Sequence, residues 1–227
     1  MNDASSNLIL SVETATRECS LAILHDGEVI VGWRGETGFS ASDRLLPEIQ
    51  NLLSAAKVSL AEINLLTVTV GPGSFTGLRV GIAVSKGLAA ARKTPIIGIP
   101  TLEALVFERS REPTVVGLLP AGREDFFWQI FEDNNFHDLI QVKNFDLEKI
   151  LRQLNPADSC TIIAPPEIHP YLFEFIEREI VKNWSVAPPP ENLAAAAGQI
   201  AFQQFLENKI SDNPIAAIYG RGALDRR

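Results

Sequence analysis

Residues 65–91 show the pattern of a buried strand, followed by a glycine-rich turn and then a helix. Residues 65–70 (LLTVTV) are apolar or β-branched throughout, a pattern typical of a strand inside a parallel sheet. The turn GPGSFTGLR occupies residues 71–79, and the helical pattern continues to residue 91. A strand that passes through a tight turn directly into a helix indicates an α/β fold with a parallel sheet.

The order of elements around this unit repeats once along the chain. The strands predicted in the first half are residues 8–12, 19–24, 28–33, 65–70 and 95–99. Its first helix, residues 42–56, can be capped by Ser40 or Ser42 and carries one apolar stripe, which consists of Leu45, Leu46, Ile49, Leu52, Leu53 and Ala56. The other helices are residues 75–91 and residues 101–108, the latter capped by Thr101. The second half gives strands at 115–119, 126–131, 136–142, 161–164 and 184–186, with helices at 147–154, 168–181 and 191–208.

Three antiparallel strands followed by alternating helices and strands form the ribonuclease-H-like layout. Two copies give the architecture shared by actin, sugar kinases and Hsp70. We therefore predict an α/β protein with a duplicated ribonuclease-H-like fold, built from two mixed sheets flanked by helices. An N-terminal subdomain spans residues 1–108 and is joined by helix 191–208, and a smaller subdomain of similar topology spans residues 109–190.

The glycine-rich turn does not match either common phosphate-binding motif. Leu78 stands where the G-x-x-x-x-G-K-[ST] motif needs lysine, and Thr76 replaces the third glycine of G-x-G-x-x-G. The first two glycines favour a sharp backbone turn, and Ser74 or Thr76 can cap the helix. A nucleotide remains an open alternative, and its candidate contacts are Glu13, Thr14, Gly71, Gly73 and Ser74.

Four small residues recur every four positions on the helix after the turn. We call this set the small-residue ridge, and it consists of Gly77, Gly81, Ser85 and Ala89. Such a ridge lets another backbone approach closely. The sequence leaves two alternatives open: packing against this chain's own sheet or the 42–56 helix, or packing against a helix of another subunit. Arg79, Lys86 and Lys93 form a basic line beside it, either as a solvated edge or as the rim of an interface.

Composition and charge limit the function classes. The net charge of −8 argues against a large nucleic-acid surface on this chain, because phosphate binding needs clustered Lys and Arg. Cys19 and Cys160 lie far apart, and each is predicted to be a buried reduced thiol. Three histidines, at positions 25, 137 and 169, lack metal-ligand spacing, so no metal site is expected. The first residues have no basic segment before a short apolar run, which favours a cytoplasmic protein without membrane association.

Three sequence segments closely resemble the bacterial TsaB (YeaZ) family. They are ILSVETATRECSLAIL, SDRLLPEIQNLL and VGPGSFTGLRVGIAVSKGLA, all within residues 8–105. The resemblance implies the duplicated actin-like fold and a role in making threonylcarbamoyladenosine in tRNA. Family members are non-catalytic partners of TsaD, which transfers the threonylcarbamoyl group to adenosine 37 of tRNAs that read codons starting with A.

The resemblance also implies partners and a binding surface. The ATPase TsaE joins the pair, tRNA is met only through the complex, and ATP or ADP within the complex and a homodimer are left open. No cofactor is expected on the chain alone. The first two helices of the N-terminal half would meet TsaD. The matching interface residues are Leu45, Leu46, Ile49, Leu53, Gly77, Arg79, Gly81, Ser85, Lys86 and Ala89.

Some positions depart from the family pattern, and an enzyme of the same fold stays as an alternative. Glu13 replaces a frequent aspartate, Ala41 replaces a usual histidine, and Pro120 and Gly122 fall in a segment that usually reads DAR. The alternative function is an ATP-using small-molecule kinase or phosphotransferase that would use Glu13 and the 71–77 turn. A Ser-His-Asp hydrolase is excluded because no G-x-S-x-G elbow is present.

Overall fold

The computed structural model describes residues 7–36, 38, 40–121, 125–132, 135–136, 139–143, 147–152, 154, 159–179, 183–209 and 215–218. The chain divides into two compact units. The first contains the described residues up to Ala104 together with Glu191–Ile218, and the second contains those of Leu105–Pro190. The predicted boundary at residues 108–109 lies a few residues beyond this division.

The first unit is built on a five-stranded mixed sheet. Its strands are β1 (Leu8–Glu13), β2 (Ser20–His25), β3 (Glu28–Arg34), β4 (Leu65–Gly71) and β5 (Ile96–Pro100). The order across the sheet is β3-β2-β1-β4-β5, with β1, β2 and β3 antiparallel and β4 parallel to both β1 and β5. Every residue of β4 is buried, as its uniform apolar pattern predicts.

Helices cover both faces of this sheet. The helices of the first unit are α1 (Ala41–Ala56), α2 (Phe75–Arg92), α3 (Thr101–Val106) and α6 (Leu193–Leu206), with a 3₁₀ turn at Leu60–Glu62. Leu10 and Val12 of β1 share a core with residues of α1 and α2, whereas Ser11, between them, faces Gly198 of α6. Since successive strand residues point to opposite faces, α6 lies on the face opposite α1 and α2.

The second unit repeats the same strand order. Its elements are β6 (Thr114–Pro120), β7 (Asp125–Glu132), β8 (Asn135–Phe136), β9 (Ile140–Lys143), α4 (Leu147–Leu151), β10 (Cys160–Ile163), α5 (His169–Glu179) and β11 (Trp184–Ala187). The sheet runs β11-β10-β6-β7-β8, with β9 also paired to β7. The single strand predicted at 136–142 is therefore two short strands. The duplicated ribonuclease-H-like fold with two mixed sheets is confirmed.

Three local predictions need correction. Leu46, assigned to the buried stripe of α1, is 54% exposed, because α1 buries only the narrower set Ala41, Leu45, Ile49 and Leu52. Ser40 precedes α1, but its hydroxyl donates to the Asp43 carboxylate instead of accepting from the backbone. Thr101 lies inside α3, which ends at Val106 before a 3₁₀ turn at Phe107–Arg109, so Thr101 is not its cap.

Candidate functional site

The glycine-rich turn connects β4 to α2 and is built as a helix start. Gly71 has a φ of +108°, in the left-handed region that favours glycine. The Ser74 hydroxyl accepts a hydrogen bond from the Gly77 backbone N–H at 3.2 Å, so Ser74 is the cap of α2. This satisfies one of the N–H groups that every helix leaves unpaired at its start.

The loop after β1 packs directly against this turn. The Ala15 carbonyl accepts the Ser74 N–H at 2.7 Å. A Cβ at Gly73 would overlap the same carbonyl, and a Cβ at Gly77 would overlap the Thr14 carbonyl. These glycines are thus explained by close approach of the chain's own backbone.

A tail segment, residues 215–218, closes the turn at the carboxyl end of β4. The Ile218 N–H donates to the Val70 carbonyl at 2.6 Å, and the Ile218 carbonyl lies where a Cβ of Gly71 would be. Ile215 packs on the glycine of β5, since a Cβ at Gly98 would stand 3.5 Å from its Cγ2. The sequence analysis missed this segment, whose only signal is the apolar stretch IAAI.

Glu13, the candidate acid, ends β1 with its carboxylate turned inward. It is 1% exposed. Its Oε1 accepts the Thr16 N–H at 2.7 Å, and its Oε2 accepts the hydroxyls of Thr16 at 2.9 Å and Ser20 at 3.1 Å. Burial raises the pKa of Glu13 above its ordinary value of 4.5, and these hydrogen bonds oppose that rise in part. Both carboxylate oxygens are therefore engaged by groups of the same chain.

The bonds of Glu13 continue to the start of α6. The Ser20 hydroxyl, which donates to Glu13, accepts the Ala194 N–H at 3.0 Å. Asn192 caps α6 by accepting the Ala195 N–H at 2.9 Å, and its amide donates to the carbonyls of Leu21 and Trp33. The first turn of α6 is thus tied to the strands that it covers.

The small-residue ridge of α2 faces this chain's own β1 end, which is the first alternative left open by the sequence. Gly77, Gly81, Ser85 and Ala89 are all buried. A Cβ at Gly81 would overlap the hydroxyl of Thr14. The ridge is therefore filled from inside the first unit and is not an accessible surface for a partner helix.

The other predicted interface residues fall into two groups. Leu45 and Ile49 belong to the core beneath α1, and Leu53 is half-buried. Leu46, Arg79 and Lys86 are exposed. Phe75, which the prediction did not include, is 52% exposed and lies under the Arg79 guanidinium, 3.6 Å from the ring centroid. An aromatic residue at a helix start, four positions before an arginine, is the signal that could have identified it.

Comparisons with known proteins identify the family of the chain. The family model described as "TsaD: tRNA N6-adenosine threonylcarbamoyltransferase" matches residues 40–158, just over half of the chain. The Bacillus subtilis "tRNA threonylcarbamoyladenosine biosynthesis protein TsaB" is 30% identical over 153 residues, covering 66% of this chain and 67% of that protein. The chain belongs to the TsaB (YeaZ) family.

Other relatives of the TsaB family match in sequence or fold. The Escherichia coli TsaB protein is 33% identical over 127 residues, which cover 55% of this chain and 54% of that protein. The chain thus spans about half the length of that relative. The structure of YeaZ from Pseudomonas aeruginosa has a TM-score of 0.73 at 21% identity, over 94% of this chain and 99% of that chain. At that identity the likeness shows the fold alone.

Positions that depart from the TsaB-family pattern have structural settings of their own. Glu13 accepts the hydrogen bonds from Thr16 and Ser20 described above, and Ala41 is the buried first residue of α1. Pro120 ends β6 on the surface. Gly122 lies outside the described residues, as does His137.

Cys19 and Cys160 are both buried free thiols, as the sequence predicts. Burial raises the pKa of the Cys19 thiol and of the Cys160 thiol to about 12, so both cysteines are protonated at neutral pH. Within the described ranges, no three His, Cys, Asp or Glu side chains lie close enough to share a metal ion. A search of those same residues also finds no helix with the length and apolarity needed to cross a bilayer.

Proposed function

We propose that this protein is a non-catalytic subunit of the complex that transfers a threonylcarbamoyl group to adenosine 37 of tRNA. The observation that carries the proposal is its membership of the TsaB family, whose named relatives are tRNA threonylcarbamoyladenosine biosynthesis proteins. Its partners in this proposal are TsaD and the ATPase TsaE. The protein meets tRNA only through the complex and acts in the cytoplasm.

The interior of the candidate site supports an accessory role. The chain's own backbone fills the approaches to Gly71, Gly73 and Gly77, and both oxygens of the Glu13 carboxylate accept hydrogen bonds from Thr16 and Ser20. A kinase that relied on this acid and this turn would need both to face its nucleotide. An ATP-using kinase is therefore the weaker candidate, and any ATP or ADP in the complex is proposed to bind with the help of its other subunits.

We place the TsaD-binding surface on the accessible face of α1 and α2. Leu46 and Phe75 offer large apolar side chains that are more than half exposed, and Arg79 and Lys86 supply positive charge beside them. An exposed aromatic–arginine pair is typical of residues that dominate binding energy in protein interfaces. The same face would serve a homodimer when TsaD is absent.

Reconstitution tests the proposed function. The chain, TsaD and TsaE from the same genome are mixed with unmodified tRNA, ATP and threonylcarbamoyl adenylate, and modified adenosine is measured by mass spectrometry. We expect modification with all three proteins, a large loss when the chain is omitted, and none with the chain alone. Modification by the chain alone, or full activity without it, would contradict the proposal.

A titration calorimetry experiment with TsaD tests the surface. Phe75→Ala should weaken binding by about tenfold or more, because a buried aromatic anchor contributes about 2 kcal/mol or more at an interface. Val29→Ala is the matched control, since Val29 is 45% exposed on β3 and pairs with Leu24, whose side chain lies on the sheet face opposite α1 and α2. Equal affinities of the wild type and Phe75→Ala for TsaD would show that TsaD binds a different surface.

A further inference from the structure

The loop between β1 and β2 connects a buried carboxylate to the exposed start of α2. Within this loop, Thr14 and Ala15 are buried and Thr16 is half-buried. On its inner side the Glu13 carboxylate holds both the N–H and the hydroxyl of Thr16. At its outer end Glu18 forms an ion pair with Arg34, and the Cys19 carbonyl accepts the Gly35 N–H at 3.2 Å. The loop is therefore fixed at both ends.

The same loop contacts the first residues of α2. The Ala15 carbonyl accepts the Ser74 N–H, and Ser74 is the residue that caps α2. The Thr14 carbonyl and hydroxyl fill the space left by Gly77 and Gly81, so the first two turns of the helix rest on Thr14. Because protein interiors are packed as densely as organic crystals, no empty space separates the loop from α2 at these small residues. A shift of the loop must therefore move the start of α2.

We infer that Glu13 is a positioning residue for the partner-binding surface: through the loop of residues 14–16 it sets the place of Phe75 and Arg79 on α2. This inference rests on the proposed function, because it assigns a role in TsaD binding. It differs from the nucleotide contact that the sequence left open as an alternative. The acid faces Thr16 and Ser20 inside the unit, and its influence reaches the surface through backbone contacts.

Hydrogen bonds of this kind have a directional effect that simple packing lacks. The carboxylate accepts hydrogen bonds from the Thr16 N–H and from the hydroxyls of Thr16 and Ser20. These bonds fix the backbone of the loop at Thr16 and hold both hydroxyl side chains toward the interior. Leaving such buried donors without an acceptor is unfavourable, so the loop would turn them toward water. Movement of Ala15 would then release the Ser74 N–H and loosen the helix cap.

The test compares three variants in binding to TsaD and in amide hydrogen exchange. Glu13→Ala removes every acceptor, whereas Glu13→Gln keeps one carbonyl oxygen in a side chain of the same length. Leu24→Ala is the control for simple destabilisation. Leu24 is fully buried on β2 against Gly198 of α6, on the sheet face opposite α2.

We expect Glu13→Ala to weaken TsaD binding about tenfold and to speed exchange of the Ser74 and Gly77 amides more than that of the β4 amides. Glu13→Gln should restore most of the affinity, and Leu24→Ala should leave it near that of the wild type. Unchanged affinity in Glu13→Ala, or an equal loss in Leu24→Ala, overturns the inference. Failure of the wild-type chain to bind TsaD would instead overturn the proposed function.

Discussion

Gly81 and Gly87 lie six residues apart on α2, and a side chain added at each would meet different surroundings. A Cβ at Gly81 would overlap Thr14, whereas nothing lies within 4 Å of a Cβ at Gly87. Gly81→Leu should lower the free energy of unfolding by about 1–3 kcal/mol or more through overpacking. Gly87→Leu should raise it by about 0.5–1 kcal/mol, because leucine favours helix over glycine.

Urea unfolding of the two glycine variants, beside the wild type, measures this contrast. Since both substitutions add the same side chain to the same helix, differences in helix propensity cancel between them. A Gly81→Leu protein as stable as the Gly87→Leu protein would mean that the small-residue ridge is not packed on Thr14.

The buried carboxylate of Glu13 gives a pH-dependent contribution to stability. Because burial raises its pKa above 4.5, the folded protein binds this proton more tightly than the unfolded chain. Stability from this group is therefore fully present below pH 4.5 and declines as the pH rises through the folded-state pKa. The advantage of the wild type over Glu13→Gln should be largest near pH 4.5 and smaller at neutral pH. Urea unfolding at both values checks this, and an advantage that grows with pH would contradict it.

At the scale of elements, one side chain makes several of the hydrogen bonds at the start of α6. Asn192 makes the helix cap and two further bonds to β2 and β3. Asn192→Ala should cost about 3 kcal/mol, at about 1 kcal/mol for each bond. Asn192→Ser keeps a capping oxygen but cannot reach the strands, so it should recover about 1 kcal/mol of that loss. Thermal unfolding of the wild type, Asn192→Ala and Asn192→Ser distinguishes the contribution of the helix cap from that of the bonds to β2 and β3. If the two variants unfold at the same temperature, the cap contributes nothing to stability.

Elements whose pattern is decided by burial were predictable from sequence. The continuous apolar run of β4 and the repeated element order led to a duplicated ribonuclease-H-like fold with two mixed sheets, which the structure confirms. Contacts between distant segments were not predictable. The sequence shows a ridge of small residues but not what fills it, and Thr14 supplies that contact from another part of the chain. In the same way, nothing near Gly71 indicates that residues 215–218 will close its turn.

At the scale of the whole molecule, the charge balance predicts weak direct binding of tRNA. The net charge is −8, and specific phosphate contacts need clustered basic residues. A filter-binding titration of the isolated chain with tRNA at physiological salt should give a dissociation constant in the non-specific range, weaker than about 10⁻⁶ M. A constant tighter than about 10⁻⁷ M would contradict this and would indicate a tRNA-binding surface on this subunit.

The first unit is closed by α6, which the chain supplies only after the whole of the second unit. During synthesis, therefore, the sheet face that carries Ser11 and Leu24 emerges from the ribosome well before the helix that covers it. Translation at about 5–20 residues per second leaves that face open for several seconds. A nascent chain in this state offers an apolar surface to chaperones, and a ribosome that stalls before α6 would release a product unable to complete its first unit.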